Sequence, residues 1–215
     1  MFSRKPRVWQ MALADLSLLL VSAVWGAGYP VSALAIRSLS PLWLLGIRFA
    51  LAGAVMTVLF RRSLREFRWR DSLPVWLLSL VMALSYLLHI YGLVWSTAAK
   101  QSFIAGASVA LVPFVYAAFH RTWPRRPALW GALVTTLGLL VLAFTAGMAF
   151  NFGDLLSLLM AATVALHVVL CGVGIRDHPP LAVATVQILC GAGIFLAGAL
   201  FFEPVPSLPL PSDLW

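Results

Sequence analysis

Charge is scarce in this chain of 215 residues: only 10% are Asp, Glu, Lys or Arg, against about a quarter in an average soluble domain. Together with 62% hydrophobic residues, that deficit excludes a water-soluble core, which cannot absorb so much apolar surface. Runs of about ten residues alternating in polarity are also missing, which excludes the strands of an outer-membrane barrel. Cysteine is confined to Cys171 and Cys190, both within apolar runs, so neither a disulfide framework nor a structural zinc site is expected. Gly-x-Ser-x-Gly and His-Glu-x-x-His are absent too, which argues against a membrane hydrolase.

What is there is a series of apolar runs of about twenty residues, the length a helix needs to cross a hydrocarbon core at 1.5 Å per residue. Seven are placed: Leu13–Ile36, Pro41–Phe60, Pro74–Ser96, Ala98–Phe119, Ala128–Thr145, Gly153–Ile175 and Leu181–Phe202. The expected fold is all-α, a polytopic transmembrane helix bundle joined by short connections with no room for a soluble domain. The first run is too long for the apolar core of a signal peptide and is expected to remain in the mature protein.

The basic residues give the expected orientation, because short cytoplasmic loops collect Lys and Arg. Twelve of the fifteen flank the runs on one side: Arg4, Lys5, Arg7, Arg61, Arg62, Arg65, Arg68, Arg70, Arg121, Arg125, Arg126 and Arg176. The N-terminus is therefore expected in the cytoplasm of a bacterium, the bundle in its inner membrane, and the Pro-rich tail Glu203–Trp215 outside. A net charge of +8 follows from this topology and calls for no nucleic-acid partner. The expected partners are the lipid bilayer and a small-molecule solute, with self-association left open.

Sliding the chain on itself gives a gapless match at an offset of 139 residues. Asp15-Leu16, Leu19-Leu20, Ala23, Ile36-Arg37 and Pro41-Leu42 meet Asp154-Leu155, Leu158-Leu159, Ala162, Ile175-Arg176 and Pro180-Leu181. The repeat unit would hold five helices. An odd number of crossings inserts the second copy upside down, a pattern of secondary transporters whose solute site lies between the copies. The expected division is a cytoplasmic segment 1–12, a first five-helix unit 13–146, the first two helices of a second unit 147–202, and a tail 203–215. Asp15 and Asp154 themselves read as complements to the positive N-terminal ends of their helices.

Polar groups at membrane depth are the candidate solute contacts, since they are costly there and usually face a cavity. Trp25 and Tyr29 precede Pro30, whose missing amide donor frees a carbonyl. Tyr86 and His89 share a face of the third run with Ser96; Lys100, Gln101 and Ser108 lie on the fourth; Thr163 and His167 stand four apart on the sixth. Each has a plainer reading. His89 and His167 suit hydrogen bonds between helices equally well. Lys100 suits snorkelling to the interface, and Arg48 an internal pairing. Gly46 with Ala50 and Ala54, and Gly106 with Ala110, suit close helix packing.

Trp25-Gly26, Pro41–Ala50 (PLWLLGIRFA), Gly92-Leu93, Ser96–Lys100, Phe103–Gly106, Val112-Pro113, Gly131, Gly138-Leu139, Gly153–Leu156, Ala165–His167 and Gln187 together resemble the EamA-type permeases of the drug/metabolite transporter superfamily. The resemblance implies ten helices in two inverted five-helix units, with seven present here. It implies a cytoplasmic N-terminus and a pathway lined by the first, third, fourth and sixth runs. The activity it implies is alternating-access movement, commonly export, of metabolites, amino acids or drug-like solutes, without enzymatic chemistry or a cofactor. The competing expectation is a membrane redox protein with haem held between His89 and His167.

Overall fold

The computed structural model describes residues 8–145, 150–175 and 178–206, and all regular structure among them is helical. Nine α-helices follow in order: α1 Val8–Ala35, α2 Pro41–Leu59, α3 Arg61–Arg65, α4 Leu73–Trp95, α5 Ala98–Ala105, α6 Ala107–His120, α7 Arg126–Thr145, α8 Phe152–Gly174 and α9 Pro180–Phe202. A single 3-10 turn, Trp69–Asp71, precedes α4. The chain is a multi-pass membrane protein. Among the described residues six segments are long and apolar enough to cross a bilayer: Met11–Ala35, Pro41–Leu59, Leu73–Trp95, Ala98–His120, Phe152–Gly172 and Pro180–Phe202.

Two details differ from the sequence reading, while the run Ala128–Thr145 is helical throughout, as part of α7. The fourth run is interrupted at Gly106, where the helix ends and restarts as α6 within the same crossing. Helix α1 begins at Val8 and continues through Pro30, so Asp15 stands about two turns inside it and no acidic residue occupies its first turn. Asp15 therefore does not complement that N-terminus.

Helix α4 lies centrally, packed against α8 and α9; α2 pairs with α9, α6 packs against α8 and α7, and α1 touches mainly α5 and α4 at the periphery. With lipid outside, apolar area alone does not hold such helices together, and close packing at small residues does more of the work. Glycines permit the α2–α9 contact. A Cβ on Gly46 would stand 2.6 Å from the Leu196 side chain, one on Gly53 2.7 Å from Leu189, and one on Gly191 2.7 Å from Phe49. The small-residue face of α2 thus runs through Gly46 and Gly53, whereas Ala54 is exposed.

The α4–α8 contact is closer still: a Cβ on Gly153 would lie 2.7 Å from the Gly92 carbonyl oxygen and 2.8 Å from the Ser96 nitrogen. Backbone meets backbone there. On the same face of the bundle, Glu203 at the end of α9 accepts hydrogen bonds from the amides of Leu42 (3.1 Å) and Trp43 (3.2 Å). Ser40 makes no side-chain cap for α2, so the distant carboxylate satisfies these amide donors and complements the helix dipole. On the opposite face, which bears Arg61–Arg70, Phe67 stacks at 4.9 Å on His178 and joins Val75, Leu78, Ala182, Val183 and Val186 in a second apolar cluster.

Candidate functional site

A cavity of about 90 Å³ opens between the helices, lined by Trp25, Gly28 and Tyr29 of α1, Arg48 of α2, and Ser85, Tyr86 and His89 of α4. Ala105 of α5, Ser108 of α6, and Met160 and Val164 of α8 complete it. Counting 1.5 Å per residue from the Glu203 face, Tyr29, Arg48, His89, Ser108 and Met160 all lie about 9 to 15 Å below it. Five chain segments therefore converge at one depth within the apolar layer.

Aromatic edges shape the walls. Tyr29 meets the His89 ring edge-on at 5.0 Å and 86°, Tyr86 meets it at 6.3 Å and 84°, and Phe49 braces Tyr86 at 4.8 Å. Such edge-to-face contacts fix ring orientation beyond what burial alone does. The hydroxyl of Ser85 donates to the Val81 oxygen within α4 (2.9 Å), and that of Ser108 in α6 to the Ala105 oxygen at the end of α5 (2.7 Å). Among the described residues the His89 ring nitrogens make no hydrogen bond, and Arg48 makes one, a 3.4 Å contact to Ser32 Oγ.

Of the nine candidates from the sequence, the fold gathers Trp25, Tyr29, Tyr86, His89 and Ser108 on this cavity and places the other four elsewhere. Lys100 does not snorkel: its Nζ lies 3.0 Å from Asp154 Oδ2, with side-chain exposures of 13% and 4%. Asp154 also accepts from Ser96 Oγ at 2.6 Å and closes a capping box with Asn151 at the start of α8. Gln101 is fully buried and does not line the cavity, its Nε2 donating to the His89 carbonyl at 2.6 Å, while its Oε1 has no partner among the described residues. Thr163 donates back to Met160 within α8. His167 Nε2 bonds Gln187 Oε1 of α9 at 2.7 Å, and Cys171 Sγ lies 3.8 Å from the same nitrogen.

The two histidines are thus not brought to one cavity, and the nitrogen of His167 that faces α9 is already engaged. Among the described residues no three His, Cys, Asp or Glu side chains group as metal ligands. Sequence reasoning omitted Gly28, Arg48, Ser85, Ala105, Met160 and Val164 from the lining, having given Arg48 an internal pairing. Ser85 had a signal, since it stands four residues before His89 on one helix face. The apolar members carried none.

The fold is a helical membrane bundle with a cavity within the apolar layer, walled by five chain segments. The chain belongs to the EamA-like transporter family, whose model matches residues 12–144, and through it to the drug/metabolite transporter superfamily. It is 30% identical over 148 residues to an uncharacterized transporter of Archaeoglobus fulgidus, covering 69% of this chain. The chain spans about half the length of that relative, since the match takes in 45% of it. No solved structure shows significant similarity to the chain.

Proposed function

We propose that the chain is a non-enzymatic permease of the bacterial inner membrane, moving a small metabolite, amino acid or drug-like solute outward by alternating access. The observation that carries this is the cavity, in which Trp25, Tyr29, Arg48, Tyr86, His89 and Ser108 meet at one depth from five segments. Membership of the EamA-like family supports it. In this reading residues 13–146 form one five-helix unit and 147–202 begin its inverted copy. At the 139-residue offset Trp25 corresponds to Val164, and both line the cavity, as expected of a site between two related units.

Alternating access needs a closure on each side of the solute. The Lys100–Asp154–Ser96 cluster and the Gly92–Gly153 contact tie α4 and α5 to α8 above the cavity. In this reading they form the closure on its Glu203 side, and outward opening separates them. The arginine-bearing loops support a cytoplasmic location for the other side. The test is a comparison of cells expressing the chain, or the chain with an inactivating Tyr86→Ala and His89→Ala pair, for efflux of preloaded labelled small organic monocarboxylates, amino acids and cationic dyes. Faster efflux with the intact chain alone is expected. Equal efflux across the whole panel, with both proteins in the membrane, overturns the reading.

A further inference from the structure

We propose that the cavity selects small organic monocarboxylates with an apolar body, and that Arg48 is the counter-ion for the carboxylate; this rests on the cavity being the solute site. Arg48 is a fixed cation on a membrane-crossing helix, about 10 Å below the Glu203 face by its seven-residue distance from Pro41. Arg48 is itself exposed; its guanidinium reaches the buried Ser32 on α1 and makes no ion pair among the described residues. A hydroxyl at 3.4 Å uses little of the hydrogen-bonding capacity of five N–H donors.

The described residues supply no anion for it. Of the seven acidic residues, Asp154 is engaged by Lys100 and Ser96, and Glu203 by the α2 amides. Asp15 lies fourteen residues from Tyr29 on α1, about 21 Å away along the helix axis. Glu66 and Asp71 stand in the connection on the opposite face, while Asp177 and Asp213 fall outside the described residues. The cavity lining contains no carboxylate at all. An unmatched cation at membrane depth attracts an anion from the lumen, and the forked guanidinium matches a carboxylate in bidentate geometry.

The remaining walls set the other half of the solute. Tyr29, Tyr86, Trp25, Met160 and Val164 give an apolar, largely aromatic surface, with the hydroxyls of Ser85 and Ser108 as single polar points. A volume of about 90 Å³ has room for roughly six to nine waters, the scale of a small aromatic or branched acid. A cationic or zwitterionic solute would bring a positive group beside Arg48 with nothing acidic to receive it.

The experiment measures binding of phenylacetate, phenylacetamide and phenethylammonium to the full chain in detergent by calorimetry, at two salt concentrations. These probes share a ring and differ in charge. Phenylacetate is expected to bind at least tenfold more tightly than the amide, the ammonium weakest, and the gap to narrow at high salt. Arg48→Gln is expected to erase the preference and Arg48→Lys to keep part of it, because an ammonium retains the charge without the fork. Equal binding of acid and amide, a preference for the ammonium, or an unchanged preference in Arg48→Gln overturns the anion assignment and leaves the permease reading standing. Absence of binding by all three, with the protein folded, removes the cavity as a solute site and the assignment with it. Should Arg48→Gln fail to fold, the ranking on the unaltered protein still decides.

Discussion

Helices α1 and α8 carry the same short phrases at the same spacing, and the bundle treats them differently. In α8 the buried positions are Gly153, Asp154, Ser157, Met160, Ala161, Ala165 and Val169, recurring every third or fourth residue against α4 and α6. In α1 every residue from Met11 to Ala27 is exposed, and burial begins only near the cavity, at Gly28, Tyr29 and Ser32. Asp154 has three polar partners; Asp15, its counterpart in the offset match, stands on a bare helix surface. Similar local sequence thus does not decide packing. What decides it is whether a neighbour presents a glycine or a polar group at the right depth, as Gly92, Ser96 and Lys100 do for α8.

The largest effect is expected where that difference is electrostatic. Asp154→Ala removes the carboxylate from Lys100 and Ser96 and is expected to cost about 3 kcal/mol, since one partner of a largely buried pair is left in a poorly solvating site. Asp15→Ala should stay within about 0.5 kcal/mol, as surface changes do. Thermal unfolding of both variants in detergent checks this, and equal losses would erase the distinction between the helices.

A second contrast is steric. Gly153→Ala places a methyl 2.7 Å from the Gly92 carbonyl oxygen, an atom of a helix backbone that cannot rotate away. About 2 kcal/mol of destabilisation is expected from forcing α4 and α8 apart. Gly26→Ala meets nothing within 4 Å and should cost nothing, or gain slightly from helix propensity. Melting temperatures moving together in the two variants would show that α8 is no more closely packed than α1.

Where the sequence could be read, it was read through local physics. Run length placed α2, α4 and α9 to within a residue or so at their Pro-marked starts, because a proline in the first turn suits a helix whose first amides lack partners anyway. Stripes at helical spacing brought Tyr86 and His89 together with Trp25 and Tyr29. Beyond the break at Gly106 and the place of Asp15 within α1, the failures are long-range. Lys100 reads locally as a snorkelling residue, and only the fold sets it beside an aspartate 54 residues on. Glu203 reads as the start of a tail, yet it caps a helix that begins 162 residues earlier. His167 shares a stripe with Thr163, but a stripe fixes spacing and not the neighbour it faces, which proves to be Gln187.

That last residue gives a smaller contrast between the two histidines. His167→Ala leaves the buried Gln187 amide without its 2.7 Å partner and is expected to lower stability by about 1 kcal/mol, with phenylacetate binding per folded molecule unchanged. His89→Ala is expected to weaken binding more than stability, because its ring lines the cavity and holds Tyr29 and Tyr86 edge-on. Calorimetry and thermal melts on the same preparations separate the two roles. Weakened binding in His167→Ala would return it to the site.

The smallest effect is expected at Gly28, which occupies in α1 the position that His167 holds in α8 at the 139-residue offset. Gly28 lines the cavity, and a Cβ built on it meets nothing within 4 Å, so a methyl group enters open space without straining either helix. Stability of Gly28→Ala should therefore stay within about 0.5 kcal/mol of the parent, the ordinary range for a change that touches no packed neighbour. Affinity is the sensitive quantity. In a cavity of about 90 Å³ an added methyl displaces an appreciable part of the room beside Tyr29, and phenylacetate should bind a few-fold more weakly. Acetate, which lacks the ring, should bind as before. If both acids weaken alike, the methyl acts on the Arg48 end of the cavity. If neither does, the exposed surface of α1 extends past Gly28, and the part of this helix that differs from α8 is longer than the cavity lining indicates.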